Sequence, residues 1–374
     1  MVTKFLPLPA NSGGRQRSLA VARRLAQRSD LTLCAYDDGS SDGEGLGRLG
    51  ITVRAVPWKL GPVRMTLGSL RTASASAGRF WSRELAAEVR RATTPAPDLL
   101  LVAYSQLAPF LHECQADRKI MDLHNVESWL MASYARSQGA AKRLAAGMEA
   151  SALRRLEARA LSVTDAVAVV SRSDAERLPP VQASVLVCPN GWEPEDSLPA
   201  ATEPVAAFVA LMSWAPNVDA AVWLAKEVWP AVIRQEPRAR LVLVGRDPAP
   251  AVQSLARPDV KVTGTVPDVR PYLAATRVAL APLRAGGGTR LKILEALGAA
   301  RPVVATTVGA EGLEDLIGEG LTVADDPLEM AGVIAGLLQD PERAAQLGRR
   351  GREAVMARYR WDRTLAPLLE WVDR

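Results

Sequence analysis

The chain is poor in histidine and cysteine and has no long apolar run. Of its 374 residues only two are histidine, His112 and His124, and three are cysteine, Cys34, Cys114 and Cys188. The cysteines are an odd number, widely spaced and without metal-type or redox-type pairing. That argues against a disulfide framework and favours a reducing cytosol. Apolar stretches are short and interrupted by charge or proline, so none reads as a membrane span. No basic region leading into a long apolar segment opens the chain, and no secretory signal is expected. Aromatic residues make up 5% of the chain and the net charge is only +5. With no zinc-finger spacing or aromatic RNA-binding signature, nucleic acid is set aside as a partner.

What is present bounds the answer further. A length of 374 residues with 48% hydrophobic content allows a large core divided between about two domains. The isoelectric point of about 9.3 suits an anionic ligand or an acidic surface. Basic residues gather at 54–91 (Arg54, Lys59, Arg64, Arg71, Arg79, Arg83, Arg90 and Arg91), with Trp58 and Trp81 among them. A run of this kind is ordinarily a solvated face. The other expectation is a peripheral contact with anionic lipid at an inner membrane surface.

Short apolar runs alternate with longer helical patterns along most of the chain. Strands are expected at 31–36, 51–56, 98–103, 119–123, 166–170 and 184–188, then at 205–212, 240–244, 260–264, 278–281 and 303–306. Most are continuous runs of Val, Leu and Ala, as parallel strands covered on both faces require. Helical periodicity lies between them at 14–28, 82–93, 126–160, 216–235, 290–299, 327–339 and 341–358. This alternation predicts an α/β protein with doubly wound parallel sheets. The segment WEPEDSLPAATEP at 192–204 has no periodicity and reads as a linker between the two sets. The last stretch, YRWDRTLAPLLEWV, reads as a separate helix interrupted at Pro367. Residues 1–5 are short for a first buried strand, which raises the expectation of a truncated strand or of a start placed too late.

Two motif matches fail on context. GLGRLG at 45–50 fits the dinucleotide fingerprint, but strand-like ITVRAV follows where a helix is required. GSSDG at 39–43 fits the nucleophile elbow, but Ser41 is expected in a loop with no helix behind it. Two other glycine loops suit their surroundings. ANSGGRQRS, with Gly13 and Gly14, joins the first strand to a helix. RAGGGTRLKILEALG, with Gly286, Gly287, Gly288 and Thr289, follows the strand VALAPL. Glycines at such turns let backbone N–H groups approach an anion at a helix start. Because the loops fall in opposite halves, a cleft with an anion site on each lip is expected. In the second loop Gly288, Lys292 and Glu295 share one helix face, while Leu291, Leu294 and Leu297 form the buried stripe. Arg290 and Lys292 place positive charge where the helix dipole disfavours it. Either a bound diphosphate offsets that cost, or both side chains face solvent and Glu295 simply pairs with Lys292.

The stretch GGGTRLKILEALGAARPVVATTVGAEGLE at 286–314 closely resembles the donor-binding segment of retaining glycosyltransferases of the GT-B fold, the large family-4 group. PLPANSGGRQRS, DLHNVE (122–127), VSRSDAERL, VCPNGWEPE, FVALMSWAPNVDA, LVLVG and VTGTVPDVRPYL resemble the same family in the same order. The resemblance implies two Rossmann-like domains facing a cleft. The N-terminal acceptor domain would span about 1–195, joined by the C-terminal helix 356–374, and the nucleotide-sugar domain 196–355. It implies transfer of a sugar from a nucleoside-diphosphate sugar to a hydroxyl of a glycan, a lipid-linked or a small-molecule acceptor. No aspartate cluster in the sequence suggests a metal, so neither a metal nor a cofactor is expected. Glu295 would bind the ribose, and the glycine backbone with Lys292 and Arg290 would bind the diphosphate. Val266 would line the base pocket, and Gly13 and Gly14 would face the phosphates and acceptor. His124 follows the strand KIMDL and matches the histidine that hydrogen-bonds the donor sugar; Asp122 would orient it or only cap the strand end. The family's first carboxylate is absent, since Gly287 stands there, and its Arg and Lys after the first strand of the second domain are replaced by ALMSWAPN. These departures resemble a subgroup associated with polysaccharide and secondary-metabolite assembly. They leave open a nucleotide-sugar epimerase, a sugar phosphorylase or a non-catalytic nucleotide-sugar-binding protein.

Overall fold

The structure is a computed structural model, and it describes every residue of the chain other than 60, 137–139, 197 and 287–289. It divides into two compact units. The first comprises Met1–Pro189 and Leu365–Arg374, the second Asn190–Thr364. Sequence reasoning sets the corresponding bounds at 195 and 355.

The first unit is built from β1 (Val2–Phe5), α1 (Gly13–Ala26), β2 (Leu31–Asp37), α2 (Gly43–Gly47), β3 (Ile51–Pro57), α3 (Pro62–Thr72), α4 (Ala75–Phe80), α5 (Arg83–Ala92), β4 (Leu99–Ala103), α6 (Pro109–Glu113), β5 (Arg118–Leu123), α7 (Glu127–Arg136), α8 (Ala140–Leu161), β6 (Ala166–Val169), α9 (Arg172–Arg177) and β7 (Ser184–Val187). Its seven strands run in the order β3-β2-β1-β4-β5-β6-β7, all in parallel. The expected strands hold to within a residue or two at their ends. The inner strands are largely buried, as at β6, where all four residues are buried, whereas the outermost strands β3 and β7 are mostly exposed or half-buried. β1, only four residues long, lies in the middle of the sheet between β2 and β4.

The second unit follows the same plan. It contains β8 (Val205–Val209), α10 (Ala215–Trp223), α11 (Trp229–Gln235), β9 (Arg240–Val244), α12 (Pro250–Gln253), β10 (Val260–Val262), α13 (Arg270–Ala275), β11 (Val278–Ala281), α14 (Leu291–Gly298), β12 (Val303–Ala305), α15 (Thr307–Ala310), β13 (Leu321–Val323), α16 (Pro327–Gln339), α17 (Pro341–Arg358) and α18 (Trp361–Thr364); α19 (Ala366–Val372) returns the chain to the first unit. The strand order is β10-β9-β8-β11-β12-β13, again all parallel. In each sheet the winding reverses beside the first strand, between β1 and β4 and between β8 and β11. Such a switch leaves a crevice outside the carboxyl ends of the strands, where ligands bind in α/β folds.

Several expectations are corrected. A short helix, α2, does follow Ser41, because Asp42 caps it by accepting from Gly45 N. Helices α3 and α4 occupy part of the basic run, their glycines meeting closely: a Cβ on Gly68 would lie 2.1 Å from Gly78 O. The pattern at 126–160 is two helices, α7 and α8. The pattern at 216–235 contains a π-turn at Leu224–Val228 just before Pro230, which has no N–H to continue the α-helical ladder. β13 is an unforeseen strand, too short at three residues to show a period. Pro367 does not interrupt a helix but sits in the first turn of α19, where a missing N–H costs nothing. The start of the linker is docked: Trp192 is buried in a core cluster of the second unit and bridges Arg360.

Candidate functional site

At the switch point of the first sheet, a buried polar cluster forms at the carboxyl ends of β1, β4 and β5. Asp122, inside β5, is fully buried and receives a fork from Arg17 of α1: Nη2 at 2.6 Å and Nε at 3.1 and 3.2 Å. Arg17 also donates to the Cys188 carbonyl at 2.8 Å. Burial opposes ionisation of Asp122, but the guanidinium and His124 hold its carboxyl well below the usual carboxylate range. His124 Nε2 lies 3.3 Å from Asp122 Oδ2, close enough for charge contact but poorly aligned. Neither ring nitrogen has a well-formed hydrogen bond among the described residues. Desolvation pushes the imidazole below its ordinary value despite the carboxylate, so the neutral ring prevails near pH 7. Asp122 therefore ties α1 to β5 and touches His124.

Tyr104 completes the cluster. Its ring lies 3.9 Å from that of His124, centroid to centroid. Its backbone takes φ +71°, a conformation that costs a side-chain-bearing residue about 1–3 kcal/mol and tends to mark functional sites. Gly14 makes room for it, since a Cβ there would lie 2.4 Å from the Tyr104 hydroxyl. Gly13 is exposed in the first turn of α1. Below the cluster, the buried Glu157 of α8 accepts from Ser105 Oγ at 2.8 Å, Ser128 N at 3.2 Å and Ser128 Oγ. One carboxylate thereby fixes the loops after β4 and β5 that carry Tyr104 and His124. The other histidine, His112, contacts the Arg159 carbonyl at 3.0 Å. Ser41 donates to Asp38 at 3.1 Å.

The second unit gathers charge at the start of α14. Lys292 Nζ donates to Asn217 Oδ1 at 3.1 Å and stands 4.7 Å above the Phe208 ring. Asn217 is itself buried and held by a bond from Nδ2 to the Leu211 carbonyl at 2.9 Å. Burial, then the neighbouring Arg290, pushes the Lys292 ammonium down to about 7, with Glu295 opposing. Arg290 is the buried N-cap residue of α14, and its Nη2 reaches the Val308 carbonyl at 3.4 Å. Gly286, at φ +134°, leaves space for that guanidinium: a Cβ there would lie 2.8 Å from Arg290 Nη2. Glu295 is half-buried one turn along from Lys292. Leu294 and Leu297 are fully buried, with Leu291 packed against them, so the apolar stripe is as expected. Val266 is half-buried in the loop after β10. Gly287, Gly288 and Thr289 lie outside the described residues.

Sequence reasoning names Asp122, His124, Arg290, Lys292 and Glu295 but misses Arg17, Tyr104, Lys4, Glu157 and Asn217. One signal existed for Arg17: an aspartate within the apolar strand RKIMDL demands a buried cation. Nothing local announces Tyr104 or Asn217, whose importance arises from loops that meet only in the fold.

Residues 203–340, most of the second unit, match the family model described as Glycosyl transferases group 1. A stretch of 78 residues is 44% identical to the trehalose synthase of Rubrobacter xylanophilus; it covers 21% of this chain and only 18% of that protein. The sucrose-phosphate synthase of Thermosynechococcus elongatus superposes over 100% of this chain and 98% of its own, with TM-score 0.72 and 17% identity. Anabaena HepE in complex with UDP-glucose covers 100% and 99%, with TM-score 0.69 and 17% identity. A UDP-forming trehalose-phosphate synthase from Burkholderia xenovorans covers 99% and 97%, with TM-score 0.64 and 13% identity. These likenesses show the fold: two Rossmann-like parallel-sheet domains of the GT-B type.

Proposed function

We propose that the chain is a glycosyltransferase that moves a sugar from a nucleoside-diphosphate sugar to an acceptor hydroxyl with retention of anomeric configuration and without a metal. The observation that carries this reading is the cluster at the start of α14, inside the segment matching the group 1 glycosyltransferase model. There a buried arginine and a lysine with a lowered affinity for protons stand side by side at a helix N-terminus. Two cations held side by side at a helix N-terminus suit an anion of more than one charge, and a diphosphate fits.

In this reading Lys292, Arg290 and the glycine amides at 286–288 stabilise charge as the nucleoside diphosphate departs. Their positive charge takes the part a divalent ion plays elsewhere. Glu295 binds the ribose hydroxyls and Val266 borders the base. His124, neutral and unspent in its hydrogen bonding, orients the donor sugar; Asp122, clamped by Arg17, fixes the ring. Gly13 and Gly14 border the acceptor side. A uridine nucleotide is the first to try, given that HepE binds UDP-glucose. The products of polysaccharide or secondary-metabolite assembly are the acceptors to test. The basic run at 54–91 supports a peripheral contact with anionic membrane, since Met65, Leu67 and Leu70 of α3 are exposed among its arginines.

The test is a thermal-shift panel of nucleoside diphosphates followed by product analysis with the matching sugar donors, with and without chelator. Lys292→Ala and Glu295→Ala are each expected to weaken nucleotide binding by about 1.5–3 kcal/mol, the worth of a hydrogen bond to a charged group. His124→Ala is expected to lower turnover more than donor affinity. Unchanged nucleotide affinity in both α14 variants overturns the assignment, and turnover abolished by chelator overturns metal independence.

A further inference from the structure

The same edge of the first sheet holds a cation that the fold does not neutralise. Lys4 belongs to β1, an inner strand, and its Nζ stands over two aromatic faces, 4.2 Å from the Tyr104 ring and 4.8 Å from that of Phe80. It makes no hydrogen bond or salt bridge among the described residues. Lys4 is half-buried, so only part of its hydration is lost, and each cation–π contact returns about 0.5–2 kcal/mol. The ring contacts hold the ammonium in place without supplying an opposite charge. The burial that disfavours the charged form of Lys4 is opposed by Glu127, and Arg79 adds to the disfavour.

Three further observations point to a ligand at this edge. Trp58 and Phe80 stack with ring centroids 5.2 Å apart, both only partly buried. The exposed Arg79 lies 6.0 Å over Trp58 and forms no salt bridge among the described residues; Lys4 feels the charge of Glu127 but forms no salt bridge with it. From Gly45 to Arg83 the sequence contains no aspartate or glutamate, against seven lysines and arginines, so the segment supplying this face offers the two cations no counter-charge. Finally, both His124 nitrogens and Gln106 Oε1 are buried without well-formed partners among the described residues, and His124 is one ring away from Lys4 through Tyr104.

We propose that this edge of the first unit binds an acceptor that carries an anionic group, a phosphate or carboxylate, beside an apolar or planar portion. Lys4 is the principal counter-charge and Arg79 the second, and the faces of Phe80 and Trp58 receive the apolar portion. This rests on the glycosyltransferase reading for the word acceptor, but the binding site stands on its own geometry. It names the substrate class of the first unit, which the likenesses to other proteins leave open.

The experiment is isothermal titration of the full chain with phenyl phosphate, benzoate and the neutral phenyl glucoside. Phenyl phosphate or benzoate is expected to bind saturably and at least about tenfold more tightly than the glucoside, which corresponds to about 1.4 kcal/mol. Whichever of the two binds identifies the anion. Lys4→Met is expected to lose about tenfold in that affinity while Lys4→Arg retains it, as an interaction between charges requires. Calorimetric unfolding of Lys4→Met is the control for folding of the first unit, to which Lys4 belongs, and UDP titration is the control for the second unit, whose residues alone carry the nucleotide assignment. Three results overturn the proposal: no saturable binding of either anion, glucoside binding as tight as theirs, or anion affinity lost in Lys292→Ala rather than in Lys4→Met. Absence of UDP binding in the wild-type chain overturns the donor reading and leaves the anion result to stand or fall by itself.

Discussion

Lys292 and Asp122 are both ionisable groups set into the fold, Lys292 half-buried and Asp122 fully buried, and the fold treats them in opposite ways. Asp122 is given a guanidinium fork and stays charged. Lys292 is given an amide oxygen and an aromatic face, which do not restore what burial removes, so it titrates near 7. A diphosphate bound beside Lys292 raises that value, so binding takes up a proton above pH 7. Affinity is then expected to fall as pH rises above 7, by up to about tenfold per pH unit. Calorimetry in two buffers of different ionisation enthalpy reads the proton uptake directly. Asp122 carries the reverse sign: its folded value lies below the ordinary 3.8. Its stabilising share is complete above that value and is lost as pH falls below it. Asp122→Asn is expected to destabilise the chain by about 3–5 kcal/mol at pH 7, because it strands Arg17 in the core. Urea denaturation measures the loss.

At the scale of elements, packing overrules propensity where helices meet backbone. α17 contains Gly348, which helix propensity alone marks as a weakness of about 0.8–1.0 kcal/mol relative to alanine. In the fold a Cβ at that position would lie 2.1 Å from the Ala300 carbonyl oxygen, backbone that cannot rotate away. Gly332 of α16 has nothing within 4 Å of its Cβ position. Gly348→Ala is therefore expected to destabilise by about 1–3 kcal/mol through overpacking, and Gly332→Ala to stabilise by about 0.5–1 kcal/mol. Denaturant midpoints of the two variants test the contrast, and equal shifts of the same sign refute it. The same distinction explains how much of each element is legible. α16 and α17 appear at their full lengths because a long period and their Asp-Pro starts are local signals. α3 and α4 do not, because a basic, glycine-containing stretch becomes helical through the Gly68–Gly78 contact.

For the whole molecule, the consequence lies in the discontinuity of the first unit. Leu365, Leu368 and Leu369 are buried although they follow the entire second unit in sequence. Deleting 365–374 is expected to lower the unfolding transition of the first unit and to leave nucleotide binding by residues 190–364 intact. Calorimetry together with a UDP titration reads both effects. Loss of UDP binding at a temperature where the truncated chain remains folded contradicts this division of labour.

Alternation of apolar runs with helical periods was enough to specify two parallel sheets, because burial on both faces makes the inner strands nearly continuous apolar runs. The α14 cations and His124 were also legible, since each stands at a loop that the order of elements places at the carboxyl end of a strand. What the tertiary structure decided is which groups meet there. Arg17 comes from α1, Asp122 from β5, Tyr104 from the turn after β4 and Lys4 from β1, and 105 positions separate the first two. Charge pairing and desolvation depend on distance in space, and no local pattern of residues encodes that distance.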